Sequence, residues 1–172
     1  MMTHVTGRPG DSTLQLRDGR RLQVLEVGKR DGFPLFHFHG NGSSHLEVLT
    51  VQAVAEHLEV RLICPDRPGI GGSDARPGYQ LLDWPNDVVG VADQLGIERF
   101  AVEGLSGGAP FALVCASNPA PTQRLWSDLP SDRPVHPARW LLCLALRGLD
   151  ARPFSLARAG LVSSFHASIR IR

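Results

Sequence analysis

Apolar and polar residues alternate over two short stretches, 12–17 and 20–27, on either side of Asp18-Gly19. Alternation of this kind around an Asp-Gly pair predicts a β-hairpin. Phe33 to His39 is a short apolar run that ends at Gly40, as a buried strand would. Ser44 is placed to cap a helix running to Leu58, with Leu46, Leu49, Val54 and Leu58 as its apolar stripe. Val60 to Cys64 reads as a second buried strand, stopped by Pro65 and followed by a turn-rich loop from Asp66 to Asp74. Leu81 to Leu95 has helical periodicity with Pro85 in its first turn. Arg99 to Glu103 is a third buried strand, and Gly107 to Ser117 an apolar, Ala-rich helix. An antiparallel hairpin followed by strand–helix units predicts an α/β sheet that is mostly parallel at its centre.

This pattern stops near Asn118. Six prolines, at 119, 121, 130, 134, 137 and 153, interrupt the remainder, where only short helical pieces over Trp140–Leu149 and Leu156–Phe165 are predicted. The charge changes at the same place. Residues 1–117 hold ten Lys/Arg and fourteen Asp/Glu, whereas 118–172 hold eight Arg, three Asp and no Lys, Glu or Tyr. The chain therefore divides into an α/β unit, 1–117, and an atypical Arg-, Pro- and Leu-rich tail, 118–172. Out-of-frame reading of GC-rich DNA yields such a composition, and one lysine against seventeen arginines is what a GC-rich source gives. The expectation is a frameshift near residue 117, with a naturally divergent lid as the competing reading.

Over all 172 residues the net charge is only +1, so no basic field selects nucleic acid or an anionic membrane. The longest apolar run, Trp140 to Leu146, is too short to span a bilayer. No signal-type apolar segment lies in the first twelve residues, so a cytoplasmic protein is expected. Cys64, Cys115 and Cys143 form no C-x-x-C pair and suggest neither a disulfide framework nor a zinc site.

Chemistry concentrates at Gly104-Leu105-Ser106-Gly107-Gly108, between a predicted strand and a predicted helix. G-x-S-x-G in that setting describes a nucleophile elbow: a sharp turn lifts the serine hydroxyl above the sheet, and glycines two residues either side leave the turn room. The following helix aims unpaired N–H groups at charge that develops there. Two further segments follow strands, Phe36-His37-Phe38-His39-Gly40-Asn41-Gly42-Ser43-Ser44 and Asp66-Arg67-Pro68-Gly69-Ile70-Gly71-Gly72-Ser73-Asp74. In order and spacing these three motifs resemble the α/β-hydrolase family over residues 12–117, the nucleophile-bearing part of that fold. The resemblance implies Ser106 as nucleophile and the N–H groups of Asn41 and Gly107 as an oxyanion hole. His39, Gly40, Gly104 and Gly108 take structural roles, as does the Asp66–Asp74 loop.

A serine needs a base, and in this family the order is Ser, then Asp or Glu, then His. Only 66 residues follow Ser106. Asp128, Asp132 and Asp150 are the formal acids and His136 and His166 the formal bases; Asp150 with His166 has the right order. The glycine that usually precedes the family's base is missing. The reading is a serine hydrolase of carboxylic esters or similar acyl substrates, truncated and weak or inactive as written. Its competitor is a non-catalytic scaffold that binds a small ligand or a protein partner. No cofactor is implied: neither glycine loop has P-loop or dinucleotide spacing. His37, His39 and His45 lack the partners of a metallohydrolase, so no metal is implied either. The strand ending at Glu103 would leave an apolar sheet edge, and self-association through it is expected unless the tail covers it.

Overall fold

The computed structural model describes residues 8–117 and 166–168. Six strands form one sheet: β1 (Asp11–Gln15), β2 (Arg21–Gly28), β3 (Phe33–Phe38), β4 (Val60–Pro65), β5 (Ala101–Leu105) and β6 (His166–Ser168). Their order across the sheet is β1-β2-β4-β3-β5-β6. The pairs β1–β2, β2–β4 and β5–β6 are antiparallel, and β3 is parallel to both β4 and β5. The hairpin and the parallel centre follow the hydrophobic pattern.

Both faces are covered, as parallel strands require. On β3, Phe36 and Phe38 face one way and Leu35 the other, so alternation supplies two cores. One core packs under α2 (Trp84–Gln94) and α3 (Ala109–Ser117), and the other under α1 (Gln52–His57). Trp84 joins the site's supports together, making edge-on contacts with Phe38 at 5.3 Å and with Phe111 at 5.6 Å between ring centroids.

Two sequence expectations need correction. The segment from Ser44 to Leu58 is not one α-helix: His45–Val51 is a 3-10 helix, and only Gln52–His57 is α-helical. Ser44 does cap it, accepting the Leu46 N–H at 3.4 Å. Half of the expected stripe, Leu49 and Leu58, still packs against the core on this face, but the three-residue turn of the 3-10 segment shifts the rest. His45, Val48 and Ala55 are buried, while Leu46 and Val54 lie 45% and 54% exposed. The strand expected at Arg99–Glu103 runs instead from Ala101 to Leu105, because its ladder begins where Leu35 of β3 meets Ala101. One strand of the tail, β6, runs along the outer edge of β5 over Glu103–Leu105.

Candidate active site

β5 ends at Leu105, and Ser106 turns the chain into a 3-10 step, Ser106–Gly108, that leads into α3. Ser106 has φ +49°, a left-handed conformation that a residue with a Cβ rarely adopts, and it is exposed. The turn is tight enough to exclude side chains. A Cβ on Gly104 would sit 2.7 Å from the Ala109 nitrogen and overlap the Gly108 carbonyl; one on Gly108 would overlap the Phe38 carbonyl. The glycines two before and two after Ser106 are thus required by the closeness of the backbone to itself and to β3.

The loop leaving β3 runs beside this turn. A Cβ on Gly40 would lie 3.9 Å from the Ser106 Cβ, and one on Gly107 would overlap the Asn41 side-chain amide. Asn41 and Ser106 are both exposed, while Gly40 and His39 are buried. The His39 Nδ1–H donates to the Gly40 carbonyl at 2.9 Å, which leaves Nε2 to accept the Arg67 backbone N–H at 3.4 Å. Burial, and next the Arg67 charge, hold its imidazole below the ordinary value, consistent with this neutral form. His39 therefore has a structural place in the loop.

Arg67 joins the three motifs. Its guanidinium donates to the Gly40 carbonyl at 3.0 Å and to the Gly107 carbonyl at 3.2 Å, and lies 4.8 Å from the centroid of the Phe111 ring. The preceding residue, Asp66, is fully buried and accepts from the His45 N–H at 2.6 Å, His45 Nδ1 at 2.6 Å and the Gly72 N–H at 3.2 Å. These bonds fix the Asp66–Asp74 loop in place, and through Arg67 it has a direct hold on the turn at Ser106.

Behind the Asn41 loop lies a buried ionic chain. His37 Nδ1 meets Glu103 at 3.0 Å and His37 Nε2 meets Glu47 at 2.7 Å. Glu47 in turn accepts the Gly40 N–H at 3.2 and 3.3 Å. Burial alone would push the His37 imidazole down, but Glu103 and then Glu47 outweigh it and raise it above its ordinary value. Burial pushes Glu47 up, yet His37, Ser43 and the Gly40 N–H together hold it below the usual carboxylate value. A raised histidine stabilises fully below its unfolded value, about 6.5, and loses that contribution as pH climbs through the raised value. A lowered glutamate stabilises fully above about 4.3 and loses it as pH falls through the lowered value. The contribution of these linked groups is therefore complete between about pH 4.3 and 6.5. Urea midpoints measured across pH are expected to decline on both sides of that window, and Glu47→Gln is expected to flatten both limbs.

Of the residues singled out in the sequence, Ser106, Asn41, Gly107, His39, Gly40, Gly104 and Gly108 come together here. The β6 register sets His166 opposite Leu105, one residue from Ser106. Asp150, and with it Asp128, Asp132 and His136, lies outside the described residues. Sequence reasoning missed Arg67, Glu47 and the His37–Glu103 pair. One signal was available: an ionisable residue inside a strand that is otherwise buried needs a partner, and His37 and Glu103 are such residues in neighbouring strands.

A family model described as alpha/beta hydrolase fold matches residues 34–147. A 2-hydroxymuconate semialdehyde hydrolase from Pseudomonas putida is 32% identical over 105 residues, covering 59% of this chain and 36% of that protein. An esterase from Exiguobacterium antarcticum superposes with TM-score 0.57 at 25% identity, over 66% of this chain and 41% of that one. A hydrolase from Pseudomonas aeruginosa PA01 superposes with TM-score 0.62 at 21% identity, over 81% of this chain and 54% of that one, which bears on the fold alone. The chain spans between about a third and about half of the length of these relatives. No helix among the described residues is long and apolar enough to cross a membrane.

Proposed function

The chain belongs to the alpha/beta hydrolase fold family, and from that premise we propose that it is a serine hydrolase of carboxylic esters or similar acyl substrates, with Ser106 as the nucleophile. The observation that carries this reading is the strained, exposed Ser106 at the head of a helix, beside the Asn41 loop. In the proposed reaction the Ser106 hydroxyl oxygen attacks the substrate carbonyl and its proton passes to a base. The N–H groups of Gly107 and Asn41 take the negative oxygen of the tetrahedral intermediate. Collapse expels the alcohol, which recovers the proton, and water then releases the acid from the acyl-serine. The names of the Pseudomonas putida and Exiguobacterium antarcticum relatives, a hydrolase and an esterase, support a hydrolytic reaction. For the base, the position of His166 beside the elbow makes it the residue to test.

A fluorophosphonate probe decides the matter. Ser106→Ala is expected to abolish labelling and to lower p-nitrophenyl acetate hydrolysis to no more than an oxyanion hole without its nucleophile leaves, at most about 10³–10⁴ over water. His166→Ala is measured in parallel: a fall of tenfold or more assigns it as the base. An unchanged rate excludes His166 as the base and turns the same test to His136, the other formal base. A folded wild-type chain that is never labelled at Ser106 supports the non-catalytic scaffold instead.

A further inference from the structure

We infer that Arg67 is a positioning residue for the oxyanion hole, holding and polarising the peptide group whose N–H is that of Asn41. The consequence for catalysis rests on the serine-hydrolase reading, whereas the brace itself does not. An amide's carbonyl and N–H are two ends of one conjugated unit, so a donor on the oxygen strengthens the N–H as a donor. The Gly40 carbonyl belongs to the same peptide unit as the Asn41 N–H. It accepts from three groups, the Arg67 guanidinium at 3.0 Å, His39 Nδ1–H at 2.9 Å and, more weakly, the Ser43 N–H at 3.3 Å. The preceding N–H, that of Gly40, is held by Glu47. The chain is thus gripped on both sides of Gly40, and its next N–H has little freedom to turn.

The second arm of the guanidinium reaches the Gly107 carbonyl at 3.2 Å, so one rigid group sets the distance between the loop and the elbow. A planar fork suits this task, since its two donors diverge at a fixed angle, which a lysine ammonium cannot reproduce. The partners that Arg67 bonds are carbonyls rather than a carboxylate, although Glu47 and Asp66 lie near enough to offset part of its charge. It lies 9% exposed, where burial keeps water from screening it. Phe111 beneath it, held in turn by Trp84, fixes its depth. A negative oxygen forming above Asn41 and Gly107 would therefore face two oriented N–H groups backed by a fixed positive charge.

The full chain tests this through two readouts, one independent of activity. A through-bond coupling between an Arg67 guanidinium nitrogen and the Gly40 carbonyl carbon is expected by NMR in the wild type; its absence overturns the brace without any variant. Arg67→Gln is expected to move the Asn41 amide proton upfield and to speed its hydrogen exchange about tenfold. The rate of Ser106 acylation by p-nitrophenyl acetate at saturation should fall by about tenfold, with half-saturation unchanged; removal of a whole oxyanion donor costs on the order of 10²–10³. Arg67→Lys, which can reach one carbonyl, should fall between, and it carries the comparison if the Gln variant does not fold. An unmoved Asn41 resonance in a folded variant overturns the inference. A shifted resonance in a wild-type chain that never acylates upholds the brace and refutes the serine-hydrolase reading. A loss seen only in half-saturation, with the saturated rate intact, overturns the role at the oxyanion hole.

Discussion

Gly108→Ala is expected to destabilise the fold by more than about 3 kcal/mol, read as a fall in the urea midpoint. Overpacking typically costs about 1–3 kcal/mol when neighbouring side chains can shift. Here the neighbour is backbone. A methyl at this position would overlap the Phe38 carbonyl oxygen and lie 2.7 Å from the Phe38 carbonyl carbon and 2.9 Å from the His39 oxygen. Phe38 cannot retreat: it is paired with Gly104 of β5, its ring is fully buried, and Trp84 abuts it. Either α3 lifts from the sheet or β3 leaves its register, and both open the core beneath the elbow. Gly107→Ala is the control. Its added methyl meets the end of the exposed Asn41 side chain, which can swing into solvent, so a loss below about 1 kcal/mol is expected, within the range of tolerated surface changes. Equal losses for the two variants would mean that the elbow does not pack against β3 as described.

The elbow and the loop at Asn41 could be read in the sequence because both rest on local steric requirements. Glycines at 104 and 108 flank a serine between a strand and a helix, and the chain has few other ways to turn so sharply. The hairpin at Asp18-Gly19 and the alternating strands were legible for the same reason, since a period of two survives any environment that buries one face. Failures fell where a partner decides. β5 starts at Ala101 because β3 is there to pair with it. Likewise Leu49 and Leu58 of the expected stripe pack on the core while Leu46 and Val54 are exposed, because a 3-10 start resets the turn angle, which composition does not announce. The ionic contacts behind the site were hidden for a related reason. Arg67, Glu47, His37 and Glu103 come from four separate segments, and only the parallel pairing of β3 with β5 sets His37 against Glu103.

Asp87→Ala is expected to cost about 3–5 kcal/mol, the range for leaving one half of a buried ion pair uncompensated. The Arg20 guanidinium grips Asp87 with two parallel bonds, at 2.6 and 3.1 Å, and the side chains are 11% and 6% exposed. The Tyr79 hydroxyl donates to the same carboxylate at 2.9 Å. Asp87 first, and Asp18 after it, outweigh the opposing effect of burial, so that the Arg20 proton is held more tightly than usual. The arginine therefore cannot escape an absent partner by losing charge. Asp18 offers partial relief, since it accepts from Arg20 Nε at 2.7 Å, but it is 46% exposed and screened. That places the expected loss toward the lower end of the range, near about 3 kcal/mol. The paired change Arg20→Met with Asp87→Leu removes both charges together and refills the space with apolar volume. Such replacements are often neutral or better, so the double variant is expected to be more stable than Asp87→Ala. A double-mutant cycle in urea measures this, and strictly additive losses would show that the pair is not coupled. Because the pair ties α2 to the hairpin turn rather than to the elbow, the double variant should also label at Ser106 at the wild-type rate. A slowed label in a fully folded double variant would mean that the pair reaches the site through Trp84 of α2.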